Sequence, residues 1–410
     1  MSRAHNSTQR HRQHSTPKSQ FQRFFLFVIL LLLACEPPKQ TKLKLTTSLV
    51  SSTQADHGWA VNYPKQRKLF WIHGQFWSFY SDGKDAVYRR SSDGKQWSSP
   101  LLVKKGGHYG HRTSYWFDGT FIHYAHNAAA AGEWVVYRRG KPLPNGQITW
   151  DEEQKVFEVS SRQNAMYPKV IVDTQGHPWV AFVLCKGGPH NAPYDSVVLR
   201  SSTKDGTWKT APSFPHRLVI DNPDSYPHPL GVPLLKGKTY WIFNRAKGEQ
   251  YRGKLWEGSK WSPEEKISKG TGSYGLFHLA ADGDTVHTVF LTSGVRYRKR
   301  SIDKGWGDET SVYSGGSGHA SLTMIAPERL IVTWLSPSDH KVLFREKNGQ
   351  EWNPTEFLVD ESAQGLSGSE TTKGTNLNTL VKATPKHRMA ATYTTGTRPP
   401  FQIRFIAIDR

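Results

Sequence analysis

The chain has 410 residues, 12% of them aromatic with 15 Trp, together with 35 Gly and 24 Pro. That profile, without a heptad run or a long amphipathic period, excludes a helical bundle and points to many short strands joined by tight turns. Lys and Arg number 54 against 34 Asp and Glu, a formal charge of +20, and only five of the basic residues (Arg3, Arg10, Arg12, Lys18, Arg23) lie in residues 1–34. The excess carried by the rest of the chain favours an anionic partner: an acidic polysaccharide, a nucleic acid or an anionic membrane.

Residues 1–23 are polar and basic, and Phe24 to Ala34 is an unbroken apolar run. The run has the length of a signal-peptide core and is too short to span a bilayer. It ends in Leu32-Leu33-Ala34-Cys35, which resembles a bacterial lipobox. The expectation is a signal peptide over 1–34, lipidation of Cys35 with palmitate among its acyl chains, and an exported lipoprotein at the outer membrane or cell surface. Glu36 in place of Asp gives no signal for inner-membrane retention. Residues 36–55 read as a flexible tether and 56–410 as the folded domain.

Along that domain an aromatic or aliphatic residue followed by Arg recurs seven times. The pairs are Tyr88-Arg89, Tyr137-Arg138, Leu199-Arg200, Tyr251-Arg252, Tyr297-Arg298, Phe344-Arg345 and Ile403-Arg404, and a Trp follows each of the first six. Periods near 50 residues are those of propeller blades. The reading is an all-β, seven-bladed β-propeller of four-stranded antiparallel blades. Blade four divides into Tyr226–Leu235, Lys238–Asn244, Gln250–Glu257 and Lys260–Ile267. No outer strand follows Ile403-Arg404, so residues near the start of the domain must close the ring, such as Ala60–Tyr63 or the segment just before it. Ser91-Ser92-Asp93-Gly94-Lys95-Gln96-Trp97 resembles a shortened Asp-box, and Ser202–Trp208 a degenerate one; both are expected to be structural turns.

In a propeller the start of each inner strand lies beside the end of the second strand, around the channel mouth. Those positions bring together His108, His111, Arg112 and His126 in blade two. Blade three supplies Asn164, Tyr167 and Lys186, blade four Tyr226, His228 and Arg245, and blade six His319. Asp56 and Asp224 are the only carboxylates among them. Glycoside hydrolysis usually needs two carboxyl groups flanking the bond. Elimination on a uronate needs a cation to neutralise the carboxylate and a His or Tyr to move protons. The inventory matches elimination. His123 and Cys185 are expected to be structural. Neither a zinc motif nor a Cys/His cluster is present, so no cofactor is required, with a structural Ca or Zn ion left open. Scattered basic residues without a groove-binding helix argue against nucleic acid, and a monomer is expected.

These residues resemble the sialidase-like, BNR-repeat propellers, and within them the seven-bladed ulvan lyases, a class of polysaccharide lyase. The resemblance rests on His111 at the start of one inner strand and His126 at the end of the following strand, side by side at the same end of the hairpin, and on the Tyr-Pro lead-ins at Tyr167 and Tyr226 with cations Lys186 and Arg245 opposite. It implies β-elimination on a sulfated, uronate-containing polysaccharide, with His111, His126, Tyr226, Tyr167 and Arg245 in the chemistry. Arg112, His108, Lys186, His228, Asn164 and His319 would then bind substrate. A sialidase-like exo-glycosidase and a non-catalytic glycan-binding lipoprotein are the alternatives.

Overall fold

The computed structural model describes residues 44–54, 59–106, 109–127, 134–272, 275–316, 318–336, 341–358, 377–396 and 398–409. Cys35, Asp56, His57, His108 and the leader lie outside the described residues.

Residues 44–410 form a seven-bladed propeller of antiparallel sheets. The inner strands are Leu69–Ile72, Thr113–Phe117, Asn164–Val172, Pro229–Pro233, Phe277–Asp282, Ala320–Ala326 and Leu377–Thr379, in blades one to seven. Blade four has its strands at Pro229–Pro233, Thr239–Phe243, Arg252–Trp256 and Glu265–Lys266, inside the expected segments.

The repeated aromatic–Arg pair falls at the third strand of every blade, and its geometry explains why it recurs. The first member is buried: Tyr88, Tyr137, Leu199, Tyr251, Tyr297, Phe344 and Ile403 all lie in the core. In blades two, five and six the Arg reaches back to the preceding blade, whereas Arg89, Arg200 and Arg252 turn to Tyr80, Asp173 and Glu264 of their own blades. Arg138 donates to the Val103 carbonyl, Arg298 to that of Ile267 at 2.6 Å, and Arg345 to that of Val312 at 2.9 Å. The Trp that follows packs backward too: Trp208 on Tyr137, Trp306 on Tyr240 and Trp352 on Tyr297. Arg and Trp contacts of this kind tie blades to their predecessors, as expected when stability comes from neighbour contacts in a ring. In the Asp-box of blade one, Asp93 accepts from the N–H groups of Lys95 and Gln96, and Trp97 packs on Phe405 of blade seven.

Ring closure differs from the expectation. Leu45–Thr53 pairs with Phe401–Asp409 and forms the outer strand of blade seven. This strand lies inside the stretch read as tether; its alternating buried and exposed residues suit a sheet edge. Ala60–Tyr63 does not close the ring. It belongs to a buried segment, Ala60 to Lys68, in which every residue but Tyr63 is buried. One 3-10 turn, Pro64–Gln66, sits at its centre. The Gln66 amide donates to the carbonyls of His111 and Pro168, Lys65 to that of Gly275, Arg67 to that of Leu279, and Asn378 donates to the Val61 carbonyl. These partners lie in blades two, three, five and seven, so the segment plugs the central channel.

Candidate functional site

On the mouth side of the plug, Tyr and His rings from several blades meet. Tyr167 is at the centre. In blade three Met166 pairs with Val183 but Lys169 with Ala181, so Tyr167 and Pro168 form a bulge. Pro168 has no N–H to lose from the ladder, and bulges re-aim side chains next to functional sites. Tyr167 adopts φ +55°, a costly conformation for a residue other than glycine. The bulge turns its ring to Tyr63 (centroids 5.7 Å apart), His111 (5.3 Å), Tyr226 (5.3 Å) and His228 (4.6 Å). His319 faces Tyr63 at 5.3 Å.

His111 lies in a 3-10 turn, Gly110–Arg112, stacked on Tyr109 and edge-on to Trp59. The Arg112 guanidinium lies over the Tyr109 ring at 4.5 Å. The hairpin end expected in blade two is formed: Thr113 pairs with His126, and Asn127 N–H donates to the Arg112 carbonyl at 3.2 Å. His126 stacks on Tyr124, among the aromatic residues packed between blades one and two, whereas the rings around His111 belong to the Tyr167 cluster. His123 is structural, held by Tyr137 and Asp118. Cys185 is fully buried against Met166 and Val183, and burial pushes its thiol up to about 12.

Both cations expected at the mouth are turned away from it. Arg245 is exposed and pairs with Glu264, beside the outer strand of blade four, at 2.8 Å. Lys186 pairs with Asp195 and Asp221 in the outer strands of blade three. Each occupies the expected strand end, but a carboxylate of its own blade holds the side chain outward. Asn164 is fully buried, and its side-chain oxygen accepts the His190 N–H; it anchors the loop that carries His190. Asp224 is likewise committed, accepting the Lys247 N–H.

Lys65, Lys68 and Lys169 are buried in the channel on or beside the plug. Among the described residues neither Lys68 nor Lys169 has a carboxylate within ion-pair distance. Burial pushes all three ammonium groups well below their ordinary range, and Lys169 adds repulsion on Lys65 and Lys68. Burial also lowers His111, aided by Arg112, and His228 and His319, aided by Lys65. These imidazoles are therefore neutral at pH 7. Burial raises Tyr63 to about 12 and lifts Tyr167 and Tyr226 well above 10, so all three phenols keep their protons. A site of neutral His, protonated Tyr and buried lysines, whose charged form a bound anion favours, accommodates an anion and moves protons in either direction. No three His, Cys, Asp or Glu side chains converge on a metal site among the described residues.

Sequence reasoning missed Tyr63, Lys65, Lys169 and His190. The first three had a signal: Tyr63-Pro64-Lys65 repeats the Tyr167-Pro168-Lys169 triplet. His190 left none. It sits at φ +64° in the loop between Lys186 and Pro193, its carbonyl accepting the hydroxyls of Tyr194 and Tyr226.

No protein-family profile matches the chain, and no curated protein matches it in sequence. Among solved structures it is similar to a PL25 polysaccharide lyase described as an ulvan lyase, at 12% identity and a TM-score of 0.55 over 88% of this chain and 95% of that one. The figures are the same for a structure of PL25 ulvan lyase bound to a GlcA(1-4)Rha3S fragment. The polysaccharide lyase Uly1 is similar at 10% identity and a TM-score of 0.52, over 87% of this chain and 91% of that one. The likeness to ulvan lyases is thus found at the level of the fold: the chain is a seven-bladed propeller of the architecture those lyases share.

Proposed function

We propose that the protein is a polysaccharide lyase acting on a sulfated, uronate-containing glycan by β-elimination. The observation that carries this reading is the placement of Tyr167 between two neutral imidazoles, His111 and His228, with Lys169 near it and, among the described residues, no carboxylate in ring contact with it. The anionic fragment bound by the structurally similar ulvan lyase supports the substrate class.

In this reading a uronate carboxylate is held by Lys169 and Arg112, which disperse the charge that develops when the C5 proton leaves. His111 accepts that proton as a neutral base. The C5–H electron pair forms the C4–C5 double bond, the C4–O bond breaks, and the departing oxygen takes the Tyr167 hydroxyl proton. Anion binding restores the basicity of the suppressed imidazole, so the base strengthens when substrate arrives. Tyr63 orients Tyr167 through the edge-on contact of their rings. Export and anchoring through Cys35 belong to the same reading, since a polymer of this size must be met outside the cell.

The test is spectroscopic. Ulvan or another sulfated polyuronate incubated with the protein is expected to yield the ultraviolet absorbance of an unsaturated uronate. Reducing ends released without that absorbance would indicate hydrolysis, and binding without turnover would indicate a glycan-binding protein.

A further inference from the structure

The plug divides the channel, and a separate cavity of about 580 Å³ opens on the opposite side, where the inner strands of blades one to five and seven end. That volume suits a small organic molecule. Its wall is mostly apolar, with Trp71, Trp116, Phe117, Leu235 and Leu380 prominent, and it also carries Asp118, Asp173, Thr174, Lys382 and Arg67. Arg67 comes from the plug. It is 3% exposed. Its guanidinium carbon lies 4.0 Å from the centre of the Trp116 ring, and one Nη donates to the Leu279 carbonyl at 3.3 Å. Nε and the other Nη have no hydrogen-bond partner among the described residues.

The two carboxylates on the wall are committed elsewhere. Asp118 accepts from the N–H groups of Thr120 and Phe121 and pairs with His123. Asp173 accepts from the N–H groups of Gln175 and His177 and from the Trp179 indole. Burial lowers Arg67 to about 9, which leaves it charged at neutral pH. A buried cation with unmet donors is costly, and a bound anion removes that cost.

We propose that this cavity binds a small organic carboxylate with an apolar body, the carboxylate taking the unmet N–H groups of Arg67 and the body lying against Trp116 and Trp71. The planar fork of Arg matches a carboxylate better than an ammonium group does.

Calorimetric titration of the full chain with benzoate, hexanoate and the uncharged benzyl alcohol tests this. The expected result is saturable binding of at least one acid, at least about tenfold tighter than the alcohol and at least about tenfold weaker in Arg67→Met. Because a buried Arg variant can fail to fold, the site is located independently in crystals of the unaltered protein soaked with 4-bromobenzoate. Anomalous scattering is expected to place bromine between Trp71 and Trp116. Absence of saturable binding, equal affinity for the alcohol, or bromine only at the opposite mouth overturns the proposal.

Discussion

Tyr63 and Tyr167 meet edge to face with their ring centroids 5.7 Å apart. One comes from the N-terminal plug and the other from a bulge in blade three, so the plug is part of the site. Removing the Tyr167 hydroxyl leaves ring packing intact. Tyr167→Phe is expected to lower kcat by about 10²–10⁴-fold with little change in KM, the range for a lost proton donor. Tyr63→Phe, which keeps the edge-on ring contact with Tyr167, should lose less. Steady-state kinetics on a sulfated polyuronate compares the two, with circular dichroism confirming the fold.

The charge inventory predicts a pH profile. His111 is held below its ordinary range by burial first and Arg112 next. As the base it acts when neutral, so the acidic limb of kcat/KM should fall below the ordinary His value of about 6.5. Arg112→Gln removes a repulsive charge and should move that limb upward. A limb already at or above the ordinary value would remove His111 from the base role.

Stability should follow the same groups. His111, His228, His278 and His319 are lowered in the folded state, as are Lys65, Lys68 and Lys169. At each of these positions the unfolded chain binds more protons than the folded one, so stability rises with pH. The histidines act below about pH 6.5 and the lysines up to about pH 10.4, their unfolded values. Thermal melts between pH 5 and 9 should show a climbing Tm, and Lys169→Met should flatten the alkaline part.

Arg245→Ala and Lys186→Ala each remove one partner of an ion pair that points away from the channel. Each is expected to change kcat/KM by less than about threefold, because the exposed Arg245 pair contributes little and Lys186 is held by the carboxylates of its own blade. Lys169→Met should cost at least about hundredfold, as loss of a preorganised charge does. Large losses in both outward variants, with Lys169→Met near normal, would restore Arg245 or Lys186 to the chemistry.

Cys35→Ser should abolish labelling by palmitate in cells and move the protein from the membrane to the soluble fraction. Unchanged fractionation would remove the lipid anchor from the proposed function.

The blades were legible because their determinants are local and repeated: a buried aromatic or aliphatic residue in the third strand, an Arg beside it, and a Trp after it in six of the seven copies. The strand ends that share a face were legible for the same reason, which brought His111, Tyr167, Tyr226 and His228 correctly to one mouth. The direction of a long side chain was not. Arg245 and Lys186 stand where the topology puts them, yet Glu264, Asp195 and Asp221 decide where they point. Nor was the plug legible. Asn62-Tyr63-Pro64-Lys65-Gln66-Arg67-Lys68 is polar enough to read as surface, and it is buried only because a ring of blades distant in sequence surrounds it.

The pairing of Leu45–Thr53 with Phe401–Asp409 makes the order of synthesis a structural matter. The first strand to leave the ribosome waits through the making of all seven blades for the last one to arrive. During that interval it is an unpaired edge of the kind that invites pairing with other chains. A chain that stops short of Phe401 leaves two edges bare: this strand and the His387–Thr395 strand it should have been joined to. Ring closure is thus a test of completeness, passed only when both ends of one chain are present together.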